Sequence, residues 1–173
     1  MVAASNNTEI YTIIASILGI ILTFIQVKKN FKDEIKAKKQ EKQVEKMSEI
    51  AIDIMDFINK VNEKNQDIEL LRDMIRFIRS EIFAFCTKDA VRLFSIISKE
   101  HFNNDMDKEN KYRLSVLYPL LISQIRYDSI GEAVSPDFWY QMYITDYPNH
   151  KDEFREENNR CVKELNLNRK FLI

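Results

Sequence analysis

The sequence predicts an all-α protein: a single N-terminal transmembrane helix that continues into a cytoplasmic helical bundle of about five helices. Three observations carry this. First, the stretch Ile10–Val27 is eighteen residues without a charge. Second, only two Gly and three Pro occur in 173 residues, so helix breakers and strand turns are scarce. Third, apolar residues downstream recur at three- and four-residue spacing, the period of an amphipathic helix.

The apolar stretch comes first. As a helix it reaches about 27 Å, close to the ~30 Å hydrocarbon core of a bilayer. Residues 1–9 hold no Lys or Arg, whereas Lys28, Lys29, Lys32, Lys36, Lys38, Lys39, Lys42 and Lys46 follow against only Asp33, Glu34, Glu41 and Glu45. Basic flanks stay inside, so residues 1–9 are expected outside the cell and the rest in the cytoplasm, at a bacterial inner membrane. A cleaved leader would need a basic n-region and a small-residue cleavage site, and neither is present. A helix buried in a water-soluble core usually keeps a polar face, and this one is apolar nearly all round.

Within the stretch Thr12, Ser16, Gly19, Thr23 and Gln26 fall on one helical stripe, opposite Ile13, Ile14, Ile17, Ile20, Ile21 and Phe24. Thr12 with Ser16, Ala15 with Gly19, and Gly19 with Thr23 are small residues four apart. Such residues let helices approach in lipid, where hydroxyls and amides bond across the contact. These five positions are therefore candidates for oligomerisation or for lining a pore.

Residues 28–43 form a basic helical connector, with Glu34 and Lys38 as a favourable i,i+4 pair. The helical domain is expected over 44–173. Val44, Met47, Ala51, Ile54, Ile58 and Val61 make a heptad seam, which serves either a zipper between subunits or the domain's own core. Asn62–Gln66 is a polar turn and Asp67 an N-cap for a helix running Ile68–Phe85. Its extra Leu70, Met74 and Phe77 suggest a helix deep in the core. The short joint suggests an antiparallel hairpin.

Thr87 can cap a third helix through Ile97. Residues 99–110, KEHFNNDMDKEN, are polar enough for a loop. A fourth helix over 111–130 contains Pro119, which should kink it or mark a new start. Gly131 suits its end. Ser135 and Pro136 are an N-cap followed by an N1 proline, opening a fifth helix with Phe138, Trp139, Met142 and Tyr143. Residues 147–150 break it before a last helix near 152–167.

The chemistry is sparse. The formal net charge is −1, so no global basic field points to DNA. Cys86 and Cys161 form neither a metal spacing nor a disulfide framework. His101 and His150 are the only histidines, and neither has a Cys or carboxylate at a recognised ligand spacing. The run Asp105–Glu109 lacks the glycine of a calcium loop, which is Asn110 here. No phosphate-cradling loop or nucleophile signature occurs. No metal, cofactor or enzymatic activity is expected.

A lone N-terminal span, a basic connector and a compact α-helical domain together resemble the small membrane accessory proteins of type VI-B, RNA-targeting CRISPR systems. That resemblance implies a divergent HEPN-like domain and a membrane pore acting in antiphage defence. It also implies an RNA-guided effector, or its RNA products, as partner. The HEPN signature is Arg, four to six residues, then His. Arg92 stands nine before His101, and the nearest echo is Arg160 to Asn166. Asn cannot exchange a proton near neutral pH as a catalytic His would, so RNA cleavage is not expected. The expected function is an oligomeric membrane effector that forms a pore or depolarises the membrane. The alternatives are a non-catalytic membrane anchor or adaptor and a divergent membrane-tethered RNase.

Overall fold

The computed structural model describes the backbone of residues 3–102 and 112–173, and the side chains of Ser16, residues 18–101 and residues 112–173. Every regular element among them is helical: α1 (Ala3–Val61), α2 (Ile68–Phe85), α3 (Lys88–Phe102), α4 (Arg113–Ile130), α5 (Pro136–Tyr143) and α6 (Lys151–Glu164), with single 3₁₀ turns at Tyr147–Asn149 and Arg169–Phe171. The protein is all-α. Contacts divide it into two units, Met1–Lys42 and Gln43–Ile173, and α1 contributes to both.

In the first unit every described side chain of α1, Ser16 and residues 18–42, is exposed. Ile20, Leu22 and Phe24 are 70%, 66% and 71% exposed. The Glu34–Lys38 pair forms at 2.9 Å. Among the described residues no helix is long and apolar enough to cross a membrane. Of the stretch 10–27, the side chains of residues 10–15 and 17 lie outside the described ones.

The second unit is built around α4. Val116, Leu117, Leu120, Leu121 and Ile125 are all fully buried. Pro119 does not interrupt this helix, which runs unbroken from Arg113 to Ile130. The carbonyl that loses its N–H partner belongs to Ser115, an exposed residue, where water can satisfy it. Gly131 ends α4 in the left-handed region (φ 76°), its N–H bonded to the Tyr127 carbonyl at 2.8 Å. That conformation strains any residue with a Cβ.

Around α4 pack α3, α5 and α6, with Leu93, Ile97, Tyr140, Phe154 and Cys161 in the common core. The heptad seam turns toward this core, rotated from its predicted centre. Met47, Ile50, Ile54 and Phe57 are buried, while Val44 and Val61 at its ends are exposed. Gln43 of α1 donates to the Phe85 carbonyl at the end of α2 (2.9 Å), so the two helices do run antiparallel.

Four expectations change. Helix α2 is peripheral: only Ile78 and Ile82 are buried, and Ile68, Leu70, Phe77 and Phe83 are exposed, because α4 occupies the centre. Lys99–Phe102 continue α3 rather than starting a loop; residues 103–110 of the expected loop lie outside the described ones. The Thr87 hydroxyl donates to Asp128 across the bundle. Helix α6 stops at Glu164, where Asn166 turns the chain through φ 51°.

Candidate functional site: an aromatic cleft holding both histidines

The two histidines, 49 residues apart in the chain, open onto one cleft of about 800 Å³ in the second unit. Local rules place its walls. The α3 helix ends at His101 and Phe102. Tyr112 is the N-cap residue of α4 and Tyr118 lies in its second turn. Ser135 accepts the Asp137 N–H at 3.3 Å and Pro136 sets the first turn, so α5 starts where Trp139 and Tyr143 face the cleft. The 3₁₀ turn at Tyr147–Asn149 then brings the chain back to His150 at the start of α6.

Each histidine meets a tyrosine. His101 Nε2 is 2.9 Å from Tyr118 Oη, and His150 Nδ1 is 3.1 Å from Tyr112 Oη. Glu153 (3.5 Å) and Asp146 (3.7 Å) flank His150. Burial lowers the His101 pKa, so its ring is neutral near pH 7, and burial raises that of Tyr118, so its hydroxyl keeps its proton. Trp139 and Tyr143 stack with centroids 4.7 Å apart. The buried Trp139 Nε1–H has no hydrogen-bond partner among the described residues. Among the described residues no Lys or Arg lines the cleft. An apolar, ring-lined concavity with a few polar groups is the usual form of a small-ligand site.

Composition alone could not reveal this convergence, because His101 and His150 lie at helix ends that only tertiary packing brings together. A weak signal did exist for His150 alone: it follows a break in apolar periodicity in a segment that holds Trp139, Tyr140, Tyr143 and Tyr147, whereas no Tyr or Trp stands near His101 before Tyr112.

The cysteines offer no nucleophile. Burial pushes both thiols up to about 12, and Cys161 donates to Glu157 Oε1 at 3.3 Å. Among the described residues no group of three or more His, Cys, Asp or Glu could hold a metal ion.

Arg160 lies in an ion-pair network instead of a cleft. Its Nη2 is 2.6 Å from Glu157, which also meets Arg113 at 3.4 Å; Arg113 in turn binds Glu100 (2.9 Å) and Glu164 (3.2 Å). This clasp ties α3, α4 and α6 together. Asn166 is exposed, and its N–H bonds to the Lys163 carbonyl at the helix end.

Of the stripe in the first unit, Thr12 lies outside the described side chains. Ser16 and Gly19 are exposed, and a Cβ added at Gly19 would meet nothing within 4 Å among the described residues. Thr23 donates to the Gly19 carbonyl (2.8 Å) and Gln26 to Asn30 (3.4 Å).

No family model matches the chain, and no curated protein or solved structure matches it.

Proposed function

We propose that this protein is an oligomeric membrane effector: residues 10–27 cross the bilayer, the spans of several copies cluster, and the second unit gathers on the cytoplasmic side. The outward side chains of α1 carry the proposal. Leu18, Ile20, Ile21, Leu22, Phe24, Ile25 and Val27 are all exposed. Water penalises such a surface by about 25 cal/mol for each Å² of apolar area, and lipid does not.

At about 100° per residue, Ser16, Gly19, Thr23 and Gln26 share a sector of about 80°, and the large apolar residues take the rest of the circumference. Lipid suits the broad face. A neighbouring helix, or water in a pore, suits the narrow one. A pore would collapse a membrane potential worth about 2.3 kcal/mol per charge per 100 mV. The resemblance to type VI-B accessory proteins directs the reading toward antiphage defence, with an RNA-guided effector or its RNA products as the signal.

Gly19→Leu tests this directly. A Cβ there meets nothing within 4 Å among the described residues. A loss of assembly in the variant would therefore point to a neighbouring copy. The variant should still insert, because Leu suits the bilayer centre, but should lose oligomeric mass in detergent or depolarising activity in cells. Ile21→Leu should do neither. Wild-type mass and activity in Gly19→Leu would remove the stripe from the assembly.

A second reading, a membrane anchor whose helical unit docks a ligand or partner, is favoured by the aromatic cleft. It predicts membrane localisation without assembly.

A further inference from the structure

Two exposed helix faces of the second unit carry opposite charge at matching length. On α2, Arg72, Arg76, Arg79 and Phe83 follow at four-, three- and four-residue spacing, so they form one stripe, and all are exposed; Phe83 is 81% exposed. Phe83 and Arg79 form one wall of a groove of about 470 Å³ against α3, whose Val91, Phe94 and Lys99 form the other. Among the described residues no carboxylate lines it.

On α1, Glu45, Glu49, Ile52 and Asp56 repeat the same four-, three- and four-residue spacing, all exposed, with Ile52 61% exposed in their midst. Glu45 to Asp56 and Arg72 to Phe83 each cover about 16 Å of helix axis. Two members have local partners, Arg76 with Asp73 and Glu49 with Lys46, but both pairs are exposed and contribute little.

We propose that these stripes bind each other between copies: the α1 face of one chain lies along the α2–α3 groove of the next, with Ile52 set against Phe83 and the carboxylates against Arg72, Arg79 and Lys99. Within one chain they cannot meet. Glu81 lies in the field of Lys46, Asp53 and Glu49, so the side of α2 that carries Glu81 is the α1 side. Arg79 and Phe83, each two residues from Glu81, point about 200° away around the helix. With the two faces on opposite sides of α2, the contact runs head to tail and closes into a ring or continues as a filament. The inference deepens the oligomeric reading above and rests on it.

The test uses the full-length chain in mild detergent, with self-association measured by native mass. One variant carries Arg72→Glu and Arg79→Glu; the other carries Glu45→Lys and Asp56→Lys. Each alone presents like charge to like charge and should weaken self-association by at least about tenfold. Mixed one to one, the two variants restore opposite charge wherever they alternate, at every contact of a filament or an even-membered ring and at all but one of an odd-membered ring, and should recover assembly. Circular dichroism should show unchanged helix content. If a reversed chain unfolds, Ile52→Ala and Phe83→Ala decide, each expected to weaken assembly. Wild-type assembly by either variant alone, or no rescue on mixing folded variants, would overturn the interface while leaving the oligomeric reading intact. A wild-type chain that stays monomeric would overturn both.

Discussion

Phe24 and Leu117 are both large apolar residues well inside long helices, yet Phe24 is 71% exposed and Leu117 fully buried. The difference teaches what each helix is for. Leu117 belongs to α4, whose neighbours in the second unit cover it on all sides. Phe24 belongs to a stretch of α1 whose apolar residues point outward in nearly every direction, so no single partner face within one chain could cover them. The first pattern stabilises a fold. On the reading proposed above, the second stabilises a location or an assembly.

The sharpest way to break this contrast is to truncate one residue of each kind. Leu117→Ala leaves a void at the centre of the bundle and should cost about 2–5 kcal/mol, read as a lower denaturation midpoint of the second unit. Phe24→Ala should leave that midpoint unchanged. Equal losses would show that the exposed stretch also supports the bundle.

A smaller effect sharpens the description of α2 as a peripheral helix. The Asp67 carboxylate accepts the N–H groups of Glu69 (3.0 Å) and Leu70 (3.1 Å). Asp67→Ala should cost about 1 kcal/mol, with increased amide exchange confined to the first turns of α2. Exchange spreading into α4 would mean that α2 is integral to the core.

The smallest effect lies in the cleft. Burial depresses the folded-state pKa of His101 below its usual 6.5. Below that value the unfolded chain binds the proton more readily, so stability is complete above about pH 6.5 and declines as pH falls. The slope is less than one proton. His101→Gln should flatten it below about pH 6.5. An unchanged slope would assign the titration elsewhere.

Local chemistry made much of the fold legible. Asp67, Gly131 and the Ser135–Pro136 pair announce helix ends, because each solves a backbone problem that depends only on its neighbours. The seam on α1 was readable as apolar spacing, but Ile50 and Phe57, which are buried beside it, were not distinguished, since a wide apolar face leaves the rotation of a helix undetermined. The exposed Phe77 and Phe83 show the same limit. A hydrophobic face says that a helix seeks a partner, not that the partner lies in its own chain. The meeting of His101 and His150 was illegible for another reason: it depends on how α3, α4 and α6 pack, which no local pattern encodes. Of the echo from Arg160 to Asn166, the structure shows an ion pair at Arg160 and a helix-ending turn at Asn166.

The central claim is that residues 10–27 cross a membrane with the second unit on the cytoplasmic side. It is tested most directly by cysteine labelling in intact cells, using chains in which Cys86 and Cys161 are replaced by Ser and a single cysteine is placed by Ala4→Cys or Lys170→Cys. An impermeant maleimide should label residue 4 from outside and residue 170 only after the membrane is opened. Labelling of residue 170 alone from outside, or recovery of the unopened chain in the soluble fraction, would contradict it.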